Sequence, residues 1–199
     1  MGTPKVEPKP ELLPLGEANG LRLALVKRPD RDIGDVVQSL DSPTLIAGVS
    51  LEAGVLHPDD RGFFTELFRV GVSPFSRDLA DCKTLQISLA SSYSGTIKAL
   101  HYHFVQTDYW APVHGTFQVV LCDLREGSPT QGKVNTLYVG HLRPWRLKIP
   151  PGIGHGYKVV GPETGTLVYL TDRFYSPRDE GRLPYDHPFL NYDWEIQHK

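Results

Sequence analysis

The stretch from Gly95 to Gly115, GTIKALHYHFVQTDYWAPVHG, constrains the fold of this chain more than any other. A glycine stands at each end, and between them His101, Tyr102 and His103 are followed by Asp108 after a gap of four residues. Read as a strand, the segment sends alternate side chains to opposite faces, so His101 and His103 point the same way. Asp108, a short loop further on, can fold back towards them. Two imidazoles and a carboxylate at one point are a common ligand set for a divalent metal, and equally the material of acid–base catalysis.

The flanking sequence is punctuated as a chain of many short strands requires. It carries 19 glycines and 17 prolines in 199 residues, and helical periodicity is scarce. Alternation at Leu21, Leu23 and Leu25 predicts a strand, and further strands are expected at 44–51, 63–68, 84–89, 116–124, 134–139, 145–149, 156–160 and 166–171. Short strands so spaced argue for a β-sandwich or jelly roll. Lys27 to Pro43 reads as a loop or short helix, Ser91 to Gly95 as a turn and DLREGSPTQG (123–132) as a loop, with Asp60 and Asp123 as turn formers. Residues 1–15, rich in proline and charge, are expected to be a flexible tail. No repeat, charge block or low-complexity tract divides the remainder, so 16–199 reads as a single domain.

That length allows one sizeable core. A net charge of −2 leaves no basic footprint for nucleic acid. No apolar run approaches a membrane span or a signal peptide, and Val6 stands where a myristoylation signal wants Ser or Thr, so a cytoplasmic protein without membrane attachment is expected. Cys82 and Cys122 are too few for a disulfide framework and read as core filling.

The pattern Gly, five residues, His-x-His, four residues, an acidic residue, six residues, Gly resembles the first motif of the cupin superfamily, with Asp108 where Glu is usual. PPGIGH at 150–155 resembles the Pro-x-Gly-x-x-His of the second, with Pro144 and Val159 in place of its leading Gly and trailing Asn. More narrowly, the chain resembles the dTDP-4-dehydrorhamnose 3,5-epimerase family. The matching signatures are DDRGFFTELF (59–68), Gln86, GTIKALHYH (95–103), DLREGSPTQGK (123–133), IPPGIGHGY (149–157), YLTDRFYSP (169–177) and Trp194, in order over residues 50–195. The resemblance implies an all-β fold, a cupin-type double-stranded β-helix or jelly roll, assembled as a homodimer and working without cofactor or metal. Its site, in the mouth of the barrel, would take a nucleotide-linked 4-keto-6-deoxy sugar. It further implies His101 as catalytic base and Tyr169 as catalytic acid, with Arg61, Glu66, Gln86 and Lys98 on the nucleotide or pyrophosphate and Tyr175 near the nucleotide base. Lys98 replaces the usual Arg and loses its bidentate fork.

The departures from the family fall on the chemistry. Asp108 stands where the family carries a lysine, Ser88 where it carries Asn, and His103 where it carries Gln. The family's Asp that orients the catalytic histidine lies beyond the Trp matched by Trp194. Epimerisation removes a proton α to the C4 ketone, passes through an enolate and returns a proton from the opposite face. It needs a base, a cation or donor at the enolate oxygen and an acid across the ring. An anion at Asp108 opposes this, because a unit charge pair at ~4 Å and an effective dielectric of ~20 is worth about 4 kcal/mol. A divalent metal (Zn, Fe, Mn or Ni) held by His101, His103, Asp108 and His155 would remove the conflict, with His101 then a ligand rather than the base. Against it, the family carries a histidine at the place of His155 without metal. Three readings stay open: a family-like epimerase, a metal-dependent cupin isomerase or dioxygenase, and a non-catalytic sugar-nucleotide binding protein. His114 is expected at the surface, and Trp110, Phe63 and Phe64 in the core or the pocket wall.

Overall fold

A computed structural model describes residues 10–72 and 75–195. Along these the strands are β1 (Leu12–Ala18), β2 (Leu21–Val26), β3 (Asp35–Val36), β4 (Ser50–Ala53), β5 (His57–Asp59), β6 (Gly62–Phe64), β7 (Gln86–Ser92) and β8 (Ile97–His103). Then come β9 (Asp108–His114), β10 (Thr116–Asp123), β11 (Val134–Gly140), β12 (Trp145–Ile149), β13 (Ile153–Val160), β14 (Gly165–Thr171) and β15 (Glu180–Arg182). A short 3-10 turn at Arg77–Asp81 interrupts them. No helix among the described residues is long and apolar enough to cross a membrane.

Two sheets face each other, one in the order β15-β8-β13-β10-β11-β3 and the other β4-β12-β9-β14-β7. From β8 onward the chain moves repeatedly between sheets, and pairing is antiparallel except between β3 and β11. The result is the expected cupin-type jelly roll. Alternation explains the two main cores. On β10, Phe117, Val119 and Leu121 point between the sheets, where they meet Leu137, Leu147, Ile149, Val159 and Leu167. Val120 and Cys122 point the other way, into a second core with Leu23, Leu25, Leu190, Tyr192 and Trp194. The first sheet is therefore covered on both faces, its outer one by the N-terminal hairpin and the C-terminal segment.

Several boundaries differ from expectation, each for a local reason. The ordered fold begins earlier than residue 16: β1 starts at Leu12, inside the stretch expected to be tail, and Leu13 and Leu15 pack on the second core. Residues 1–9 of that stretch lie outside the described residues. The strand expected at 44–51 is instead a turn-rich segment leading into β4. Its apolar Ile46 and Val49 are buried, but the backbone N–H of Ile46 donates to Asn135 Oδ1 at 2.8 Å and that of Ala47 to Thr130 Oγ1 at 3.1 Å, so side chains replace a strand partner. The aromatic strand expected at 63–68 ends at Phe64, beyond which the Arg146 guanidinium donates to the carbonyls of Glu66 and Leu67. Asp123 is more than a turn former: it accepts from Arg125, Ser128 and Thr130 side chains and organises the whole loop after β10.

Candidate active site

Between the two sheets lies a cavity of about 570 Å³ whose walls come from β7, β8, β9, β13 and β14 and from residues 175–182. On β8, Leu100 and Tyr102 enter the second core, which leaves His101 and His103 on the cavity face, as strict alternation requires. Directly beside His101, in register, is His155 of β13. Asp108 and Trp110 share the inward face of β9 in the opposite sheet, and Tyr169 of β14 pairs in register with Trp110. The structure thus brings together His101, His103, Asp108 and His155, with one nitrogen or oxygen from each lying within 4.8 Å of the others.

Lys98 reaches the same cavity by a different route. It lies three residues before His101, so simple alternation would put it on the opposite face. Register shows why it is not there: His155 faces His101 while Tyr157 faces Lys98, so β8 carries one extra residue in this interval. Such a bulge restores Lys98 to the cavity face, where its ammonium stands 6.0 Å from the centre of the Tyr157 ring. Opposite the bulge is Gly156, where an added Cβ would lie 2.6 Å from the Lys98 carbonyl oxygen and 2.6 Å from Ala99 Cβ. No side chain fits there.

The polar floor is tightly bonded. Gln106 Nε2 donates to Asp108 Oδ1 at 2.7 Å and approaches His103 Nε2 at 3.2 Å; Trp110 Nε1 donates to Asp108 Oδ2 at 3.2 Å. The His155 ring donates from Nδ1 to the Ile153 carbonyl at 2.8 Å. Asp179 accepts the backbone N–H groups of Phe104 and Gln106, and Asp172 that of Thr107, which fixes the turn between β8 and β9. Burial, then the adjacent His155, hold the His101 imidazole well below its ordinary value of 6.5, so it is neutral at pH 7. Burial and His155 lower His103 likewise. Burial pushes the Asp108 carboxyl up, but the contact with His155 and the neighbouring imidazoles outweigh it and hold Asp108 below the usual carboxylate range.

Gln86 and Tyr175 also line the cavity, joined by a hydrogen bond from the Tyr175 backbone N–H to Gln86 Oε1 at 3.1 Å. Arg61 and Glu66 do not line it. Arg61 sits on the exposed β5–β6 hairpin and bonds Asp59, while Glu66 pairs with Arg69. Glu66 instead borders a separate, smaller cavity with Ala111, Pro112 and Trp145. Phe63 and Phe64, expected as core or pocket wall, are both exposed on this hairpin, but Phe63 does line that smaller cavity. Sequence reasoning missed Gln106, Glu180 and Arg182 as cavity residues. Gln106 carried a usable signal, two residues before Asp108. Arg182 carried none, because only the pairing of β15 with β8 sets it opposite His101.

This arrangement offers a neutral imidazole on one wall, a phenol on the facing wall and cationic side chains nearby, which suits proton transfer to and from a bound carbon acid. A sequence model of the dTDP-4-dehydrorhamnose 3,5-epimerase family matches residues 43–199. The spore coat polysaccharide biosynthesis protein SpsL of Bacillus subtilis (strain 168) is 40% identical over 160 residues, spanning 77% of this chain and 99% of that protein. NovW, a 4-keto-6-deoxy sugar epimerase from the novobiocin biosynthetic gene cluster of Streptomyces spheroides, is 28% identical with a TM-score of 0.67 over 76% of each chain. ChmJ, a 3'-monoepimerase from Streptomyces bikiniensis solved with dTDP-quinovose, is 29% identical with a TM-score of 0.65, covering 73% of this chain and 74% of that one. The family match takes in every strand that builds the cavity, and the chain belongs to the dTDP-4-dehydrorhamnose 3,5-epimerase family.

Proposed function

We propose that this protein epimerises a nucleotide-linked 4-keto-6-deoxy sugar, with His101 removing a proton α to the ketone and Tyr169 returning one from the other side. Its family makes it a sugar-nucleotide epimerase; the substrate class is the one that NovW is named for and that the ligand of ChmJ is close to. The observation that carries the residue roles is the placement of His101 and Tyr169 on facing sheets across one cavity. A sugar ring between them would present opposite faces to base and acid, as inversion at carbon requires. The neutral state of His101 keeps a lone pair available at pH 7. Gln86, Lys98 and Tyr175 serve the nucleoside diphosphate, Lys98 as a point charge on phosphate.

The same reading assigns a homodimer in which the β5–β6 hairpin brings Arg61 and Glu66 to the partner's cavity. Its support is the exposure of Phe63 (54%) and Phe64 (68%) on that hairpin and of Ile87 (70%) and Leu89 (64%) on the edge strand β7. The cytoplasm is the compartment that suits two unpaired cysteines.

The test is incubation with dTDP-4-keto-6-deoxyglucose in D2O, followed by NMR of the sugar carbons. Deuterium is expected at C3, C5 or both. In His101→Asn exchange should fall on the order of a hundred- to ten-thousand-fold. In Tyr169→Phe washout of the α-proton should outlast inversion. No exchange by the wild type, with or without added metal, would leave a binding protein in place of an enzyme.

A further inference from the structure

We propose that Arg182 is the cation that stabilises the enolate oxygen during epimerisation. This role rests on the epimerase reading above and fills a requirement left open in it. An enolate oxygen needs positive charge or strong donors aimed at it, and Asp108 brings negative charge to the cavity instead. Among the described residues that line the cavity, only Lys98 and Arg182 carry a formal positive charge.

Register chooses between them. Arg182 of β15 pairs directly with His101 of β8. Directly paired residues of antiparallel strands share a face, with Cα atoms about 4.5–5.5 Å apart. Lys98 pairs with Tyr157 and lies three residues along β8 from His101, a separation of about 7–10 Å. Burial, His155 and His103 depress the His101 imidazole, and the charge of Arg182 adds to this, so its field reaches the base.

Two neighbours aim the Arg182 side chain. At Gly181 an added Cβ would lie 2.1 Å from Tyr102 Cζ, so the backbone of β15 lies against that ring, on the side away from the cavity. Glu180 and Arg182, one residue either side of Gly181, therefore take the cavity face. There Arg182 Nε donates to Glu180 Oε1, and no other hydrogen bond holds the guanidinium among the described residues. Its two Nη groups remain for an oxygen in the cavity. The Arg182 side chain is 77% exposed and that of Glu180 11%, so the carboxylate anchors and the guanidinium faces the opening. Water screens such a charge, but a sugar seated between His101 and Tyr169 replaces that water and strengthens the interaction.

In the step itself His101 takes the proton α to the ketone. The C–H pair becomes the C=C bond, and the carbonyl π pair moves onto oxygen. The Arg182 Nη groups donate to that oxygen. Return of the pair restores C=O as the carbon takes a proton from Tyr169. His101 then loses its proton to water, and Tyr169 regains one from water.

The experiment measures kcat and KM for deuterium exchange into dTDP-4-keto-6-deoxyglucose, alongside the Kd for dTDP by calorimetry. Arg182→Gln should lower kcat about a hundred- to thousand-fold, with the Kd for dTDP within about twofold of wild type. Arg182→Lys should keep more activity than Arg182→Gln. Lys98→Gln should do the reverse, weakening dTDP while sparing kcat. Added guanidinium ion should restore part of the exchange lost in Arg182→Ala, because the side chain it replaces stands open to solvent. Unchanged kcat in Arg182→Gln overturns the proposal. So does a loss matched by weaker dTDP binding, which would make Arg182 a phosphate ligand. A wild type that exchanges nothing fails the epimerase reading itself, and this role with it.

Discussion

Asp123 is a fully enclosed carboxylate whose stability and position both matter to the site. It receives Arg125 Nε and Nη2, each at 2.8 Å, together with the hydroxyls of Ser128 and Thr130. The loop it organises pins the turn that delivers His155: the Leu124 N–H donates to the Gly152 carbonyl at 3.0 Å, and the Gly152 N–H to the His103 carbonyl at 2.8 Å. Burial pushes the Asp123 carboxyl up, but Arg125 and the two hydroxyls outweigh it and hold it below the ordinary 3.8. A carboxyl depressed on folding contributes stability above its unfolded pKa and loses it as pH falls through the folded one. Asp123→Asn should therefore cost about 3 kcal/mol at pH 7, since it strands Arg125 in a largely buried place. The difference from wild type should shrink once pH drops below about 3.8. Urea midpoints at a series of pH values measure it, and a difference independent of pH would show that the charge contributes nothing.

At the scale of the element, the bulge in β8 decides what the cavity contains. Alternation read from the sequence gave the shared face of His101 and His103, because both lie beyond the bulge where the period of two is unbroken. It could not place Lys98, since an inserted residue leaves no periodic mark of its own. The trace was on the other strand, as Gly156 among the residues IGHGY of 153–157. Gly156→Ala should force β13 away from β8, with a stability loss of about 1–3 kcal/mol and a larger proportional loss of activity. Gly154→Ala is the control. Its added methyl would press only on the Leu124 side chain, at 3.2 Å, and would meet the Cys122 carbonyl oxygen at an ordinary contact distance of 3.6 Å. Equal thermal and kinetic effects in the two variants would dismiss the bulge as a positioning device. Short elements were less legible than long ones for a related reason. Residues 44–49 and 65–68 are apolar enough to resemble strands, yet their backbone groups are satisfied by Asn135, Thr130 and Arg146, partners about 80 or more residues away along the chain.

For the whole molecule, the jelly roll was readable because it rests on many short periodic strands and two spaced motifs. The role proposed for Arg61 and Glu66 rests on family resemblance alone, since periodicity and spacing carry no mark of pairing between copies and the folded chain offers only an exposed aromatic hairpin. Phe64→Asp should shift sedimentation from dimer to monomer and lower epimerisation at least tenfold, while leaving the fold intact. A wild type already monomeric at micromolar concentration would remove the basis for that assignment. The cluster of His101, His103, Asp108 and His155 rides on β8, β9 and β13, each flanked on both sides within its sheet, whereas Gln86 comes from the edge strand β7, Arg182 from the edge strand β15 and Tyr175 from the segment between β14 and β15. Substitutions at those borders meet few neighbours, and substitutions at the centre meet many. A change at the border can therefore stand alone, whereas one at the centre, such as Asp108, needs companions, here the Gln106 and Trp110 donors on its two oxygens.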